Sequence, residues 1–127
     1  MANEITLNFT LRFSKGGLVV QGSLSDTLTQ AGNDAIGNVQ GIGATTEAID
    51  LGDVTGDKYL MFQNRDATAT IYIDKVTPVV PGAGTGMKLL PGASLKGGHA
   101  FFQTTTDTWY GISSAGTPDL LVVAIEV

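Results

Sequence analysis

Few residues in this chain are of the types that do chemistry, and their spacing tests each class of reaction in turn. His99 is the single histidine, and there is no cysteine. A hydrolytic triad needs its histidine beside a nucleophile and an orienting acid. The nearest nucleophile motif is Gly111-Ile112-Ser113-Ser114-Ala115-Gly116. It lacks the glycine two residues after the serine that a strand-to-helix elbow requires. His99 sits in Gly97-Gly98-His99-Ala100-Phe101 and reads as a structural or surface histidine at the entry to a strand. Without cysteine, disulfides and thiolate metal sites are excluded outright.

Three further clusters invite a chemical reading. Gly82-Ala83-Gly84-Thr85-Gly86-Met87-Lys88 has the glycines of a phosphate loop. Its lysine does not directly follow the closing glycine, and Leu89-Leu90-Pro91-Gly92 forbids the helix that must come next. Glu47, Asp50, Asp53 and Asp57 are the densest acidic group; their spacing fits no EF-hand, so a solvated acidic loop is expected, with an incidental calcium site as the alternative. Trp109 and Tyr110 offer aromatic faces on which a sugar could stack. Neighbours in a strand point to opposite sides, so one of the two belongs to the core. No pair of carboxylates stands out for glycoside hydrolysis. The expectation is therefore no enzyme, no cofactor and no metal.

Composition narrows the partners. Net charge is -5, and the 7 Lys and Arg are scattered. Nucleic-acid binding needs a basic face that displaces counterions from phosphates, and none is present; anionic membranes are disfavoured for the same reason. The Met-Ala-Asn-Glu start has neither the basic region nor the apolar core of a signal peptide. No apolar run approaches the ~20 residues that span a bilayer. The chain thus reads as soluble and made in a cytoplasm. Its 127 residues suit one domain, 1–127, with a core that needs no staples.

The elements that must carry these residues are strands. Ile5, Leu7, Phe9, Leu11 and Phe13 alternate with Thr6, Asn8, Thr10 and Arg12, so residues 4–13 form a strand with one buried and one wet face. Ser14-Lys15-Gly16-Gly17 turns the chain, and 18–24 returns antiparallel. Residues 26–46 are glycine-rich, a long connection with 36–42 the best strand candidate. Short strands follow at 47–51, 86–90, 98–104 and 108–113. The stretch 59–74 pairs two β-rich runs around Asn64-Arg65-Asp66-Ala67 and reads as a β-hairpin. Leu120 to Val127 is apolar almost throughout, as expected of a strand buried on both faces or covered by a partner. About eight or nine short strands at this spacing predict an all-β, antiparallel β-sandwich.

Several phrases in fixed order resemble small virion structural proteins of tailed bacteriophages. They are Leu51-Gly52-Asp53-Val54, then Tyr59-Leu60-Met61-Phe62-Gln63-Asn64-Arg65-Asp66-Ala67-Thr68, then Ile71-Tyr72-Ile73. Met87-Lys88-Leu89-Leu90-Pro91-Gly92, Ala100-Phe101-Phe102 and Gly116-Thr117-Pro118-Asp119 complete the pattern. The resemblance covers residues 45–127, and Arg65 stands where those proteins commonly have an apolar residue. It implies a jelly-roll-like sandwich in the virion with no catalytic residue to carry over. The role expected is a capsid decoration or cement protein on the capsid surface. Its partners would be the major capsid protein and further copies of itself, a trimer favoured. Residues 1–13 would be an arm, with Ile5, Leu7, Phe9, Leu11 and Phe13 at the oligomer or capsid interface. The alternatives are a tail, neck or fibre component, or a carbohydrate-binding sandwich.

Overall fold

The structure, a computed structural model, describes residues 5–28, 34–81, 86–95 and 97–127. The chain divides into two compact units, Met1–Gly32 and Asn33–Val127. The first is a two-stranded ribbon, β1 (Ile5–Lys15) and β2 (Leu18–Leu28). The second holds β3 (Ala35–Gly41), β4 (Glu47–Ala48), β5 (Lys58–Asn64), β6 (Ile71–Asp74), β7 (Met87–Leu89), β8 (His99–Thr104), β9 (Tyr110–Ser113) and β10 (Asp119–Glu126). The all-β reading holds, with ten strands among the described residues.

The larger unit is wound as a nested hairpin. β3 pairs with β10, β4 with β9, β5 with β8 and β6 with β7, all antiparallel. Cross-pairing of β10 with β5 and of β9 with β6 gives two four-stranded sheets, β3-β10-β5-β8 and β4-β9-β6-β7. This is the strand order of a jelly roll, in which two Greek keys close two sheets over one core.

Period-two alternation builds that core. Along β5, Leu60 and Phe62 point inward and are fully buried, as are Leu120, Val122 and Ala124 of β10. Ile71 and Ile73 of β6 and Leu89 of β7 meet them from the other sheet. Phe62, Phe102 and Trp109 form an aromatic cluster, with ring centroids 5.1 Å to 6.1 Å apart. Tilted and edge-on geometries at these distances suit the aromatic quadrupole.

One pairing differs from the sequence reading. Residues 59–64 and 71–74 are both strands, yet β5 and β6 lie in different sheets and do not pair. The polar stretch between them is a corner that crosses the sandwich. Asn64, with no exposed surface, accepts from the Asp66 N–H at 2.9 Å. Its Nδ2 donates to the carbonyls of Ala69 (2.8 Å) and Leu89 (3.0 Å). Asp66 then caps the corner by accepting from the N–H groups of Thr68 and Ala69, both at 2.7 Å. These carboxamide bonds satisfy backbone groups that a hairpin would have paired across strands.

The approach of β8 to this corner requires glycine. The Asn64 N–H donates to the Gly98 carbonyl (2.9 Å), and the Gly98 N–H donates to the Leu90 carbonyl (2.7 Å). A Cβ on Gly98 would lie 2.7 Å from the Leu90 nitrogen and 3.1 Å from the Leu89 Cα, both of them backbone atoms that cannot swing aside.

Replacing Asn64 by Ala strands two carbonyls and an N–H in the interior. Buried groups left unpaired cost about 1–3 kcal/mol each, so N64A is expected to lower unfolding free energy by about 2–4 kcal/mol in urea titration. A loss under about 0.5 kcal/mol, the size of an ordinary surface change, would show that the corner does not depend on this side chain.

Candidate interaction surface

The ribbon is built by its turn. Gly16 and Gly17 have φ of 59° and 84°, and Lys15 pairs directly with Leu18. Two positive φ values in a two-residue loop are what the strand twist demands, and glycine supplies them without strain. The register then runs unbroken from Lys15↔Leu18 to Ile5↔Leu28.

Partners in an antiparallel ladder share a face. One face therefore carries Thr6, Asn8, Thr10, Arg12 and Ser14 beside Val19, Gln21, Ser23, Ser25 and Thr27; across it the Ser25 hydroxyl donates to Asn8 Oδ1 at 3.0 Å. The opposite face carries Ile5, Leu7, Phe9, Leu11 and Phe13 beside Val20, Gly22, Leu24 and Asp26, with Leu18 and Lys15 at the tip. Ile5 is buried and Leu7 half-buried. Exposure then rises along the ribbon: Phe9 41%, Leu11 75%, Phe13 49%, Leu18 58%, Val20 55% and Leu24 55%. The sequence reading marked the five β1 residues. It missed Leu18, Val20 and Leu24, because the adjacent Val19 hid the alternation of β2.

A second apolar surface lies on the outward side of the β3-β10-β5-β8 sheet. Its central positions are Tyr59 and Met61 of β5 and Leu121, Val123 and Ile125 of β10, all half-buried. Register places Val39, Gly37 and Ala35 beside them on one flank and His99, Phe101 and Gln103 on the other. Tyr59 and Phe101 stack, with centroids 5.6 Å apart and planes 3° from parallel. With Gln63, these positions include no Asp, Glu, Lys or Arg. The wet face of an antiparallel sheet is ordinarily polar.

The candidates for chemistry are dispersed. His99 is exposed at the start of β8. Ser113 donates to the Gly116 carbonyl at 3.1 Å, and the Ser114 hydroxyl accepts from the Thr70 N–H at 2.9 Å, so both serve the local backbone. Glu47, Asp50, Asp53 and Asp57 are not brought together; among the described residues no three His, Cys, Asp or Glu are grouped to hold a metal. Of the glycine loop, residues 82–85 lie outside the described residues, and Lys88 stands in a strand, 6.0 Å from the Tyr72 ring centroid. Trp109 is the core member of its pair, buried and donating through Nε1 to the Thr106 carbonyl at 3.2 Å. Its free edge lines a crevice of about 190 Å³ with Ile73, Asp74, Lys75, Met87 and Phe102, smaller than the ~300–1,000 Å³ of ordinary ligand pockets.

Sequence reasoning also missed a buried cation. Lys58 has no exposed surface, yet all three ammonium protons find acceptors: the Gly56 carbonyl (2.6 Å), Asp107 Oδ1 (2.6 Å) and the Thr106 carbonyl (3.4 Å). Asp107 Oδ1 also accepts from the Gly56 N–H at 3.0 Å. The group staples two loops at one end of the sandwich and is structural. The hydrogen bond from Lys58 holds the Asp107 carboxyl below its ordinary 3.8; backbone N–H groups of Ala69 and Thr68 do the same for Asp66.

Searches of family models, curated proteins and solved structures returned no match to this chain.

Carboxylates with lowered pKa stabilise the fold above their unfolded pKa and lose that contribution as pH falls through the folded value. Stability should therefore be level above about pH 5 and fall steadily below about pH 4. Asp107→Asn should be less stable than wild type at neutral pH and show a shallower acid decline in urea midpoints. An unchanged acid slope in that variant would remove the Lys58 pair from the account.

Proposed function

We propose that this chain is a non-enzymatic structural protein of a tailed-bacteriophage virion, acting as a capsid decoration or cement protein. It would sit on the head surface as a homo-oligomer, a trimer favoured, and bridge major capsid protein subunits. The observation that carries this reading is the ribbon. A two-stranded ribbon is marginal by itself in water, and this one keeps Leu11, Phe13, Leu18, Val20 and Leu24 exposed on one face. Such an element gains its stability by gripping something, and adhesion is the work of a cement protein. Repetition over a symmetric shell would multiply a modest affinity per contact.

The sequence phrases that resemble phage proteins add support, because they fall on the frame of the jelly roll. Tyr59 to Ile73 spans β5, the crossing corner and β6; Met87 to Leu89 is β7; Ala100 to Phe102 lies in β8. Jelly rolls serve viral capsids and also lectins and enzymes, so the fold alone does not choose among them. The small crevice beside Trp109 and the burial of that ring give the carbohydrate reading no platform there.

Quantitative mass spectrometry of purified virions tests the reading. A copy number comparable with that of the major capsid protein is expected. A few dozen copies or fewer would reassign the chain to neck, tail or fibre, and its absence from virions would overturn the proposal.

A further inference from the structure

The sheet that carries β3 ends on that side in an unguarded edge. Natural sheets protect their edges with charged residues, proline, bulges or very short strands. β4 and β7, at the margins of the other sheet, are two and three residues long. β3 runs for seven, Ala35-Ile36-Gly37-Asn38-Val39-Gln40-Gly41, with no charged residue and no proline. At the opposite edge, in β8, His99 and Phe101 are engaged in contacts of their own.

The ladder with β10 fixes which backbone groups of β3 face outward. The Ile42 N–H donates to the Pro118 carbonyl at 2.9 Å, and the Glu126 N–H to the Asp34 carbonyl at 3.0 Å. Antiparallel partners bond at every second position, so Ile36, Asn38 and Gln40 turn their N–H and C=O groups to β10. Ala35, Gly37, Val39 and Gly41 turn theirs away from the sheet. Among the described residues no backbone group takes these up, and all four residues are exposed. A second observation sits at the centre of the strand. Asn38 Oδ1 is the one buried side-chain polar atom among the described residues with no hydrogen-bond partner. A buried acceptor without a donor is costly.

We propose that β3 pairs antiparallel with β3 of a second copy about a two-fold axis through Asn38, joining two four-stranded sheets into one. This register pairs the whole strand: Ala35 with Gly41, Gly37 with Val39, and Asn38 with its own copy. The outward groups then exchange about eight backbone hydrogen bonds. Asn38 falls at a non-hydrogen-bonded position, where Cα atoms approach to about 4.5 Å. There each carboxamide, turning about its own side-chain bonds, can donate from Nδ2 to the Oδ1 of the other. On the outward side Val39, 46% exposed, lies across from Gly37, where a Cβ would meet nothing within 4 Å. No like charges oppose, since Asp34 meets Ile42 in this register. A two-fold contact is self-complementary, so a second copy of this chain is a sufficient partner. It is separate from the three-fold axis of the proposed trimer.

Two kinds of variant of the full chain test this. Val39→Pro removes an outward N–H and leaves the ladder with β10 intact, as an edge position allows. Sedimentation should give it half the mass of the wild-type particle, because a two-fold contact doubles whatever else the chain forms. The chain has no cysteine, so single thiols report the register. Asn38→Cys should give a disulfide-linked dimer under mild oxidation, its Cα separation being within disulfide range. Gly37→Cys should link several-fold more slowly, since two copies of residue 37 lie two positions out of register and beyond ~7 Å. A mixture of Gly37→Cys with Val39→Cys should link as heterodimers. Equal, slow linkage of the Asn38 and Gly37 variants would overturn the inference, whether or not the proline variant folds. So would a folded Val39→Pro with the wild-type mass. Either result in a wild type that still assembles leaves the proposed homo-oligomer standing; a monomeric wild type would overturn both.

Discussion

The jelly roll depends on one buried carboxamide. Asn64 ends β5 in one sheet, and its side chain holds the carbonyls of Ala69 and Leu89, which lead into β6 and out of β7 in the other. Its own N–H reaches the Gly98 carbonyl ahead of β8. A chain that crosses between sheets leaves backbone groups that no ladder can pair, and an interior polar group without a partner is costly. The amide has two donors and an acceptor on one planar group, which lets one residue satisfy three such groups at the corner. Asp66 extends the same logic by capping Thr68 and Ala69. With the corner closed, Phe62 and Leu60 meet Ile71 and Ile73 across the core.

The ribbon obeys the opposite condition. Its ladder pairs the inward-pointing half of its backbone groups, and its turn is one that Gly16 and Gly17 make without strain. Its side chains Leu11, Phe13, Leu18, Val20 and Leu24 are exposed. On the outward face of β10, the half-buried Leu121, Val123 and Ile125 occupy positions where a solvated sheet would place polar side chains.

Much of the fold was legible, because alternation at period two is a local signal. The β1 strand, the glycine turn, β8 and β10 all follow from residue types within a window of about ten positions. The partner of each strand did not. Asn64-Arg65-Asp66-Ala67 has the residues of a turn, and turns that reverse a chain within a sheet use the same types as corners that cross between sheets. Only the fully buried state of Asn64 distinguishes them, and burial of a polar residue depends on contacts such as Leu89 and Gly98 that are distant in sequence. The Lys58 staple was hidden for the same reason, its acceptor Asp107 lying 49 residues away. Of the candidate surface, the β1 half was visible in Ile5 to Phe13, while the β2 half needed the register.

The central claim is that the ribbon is completed by another copy of the chain. Amide hydrogen exchange followed by mass spectrometry across a dilution series measures this directly. Residues 5–28 should exchange fast in dilute protein and gain protection as concentration rises, with the core strand β6 unchanged throughout. Ribbon protection that is high and independent of concentration would place the cover within a single chain and contradict the account.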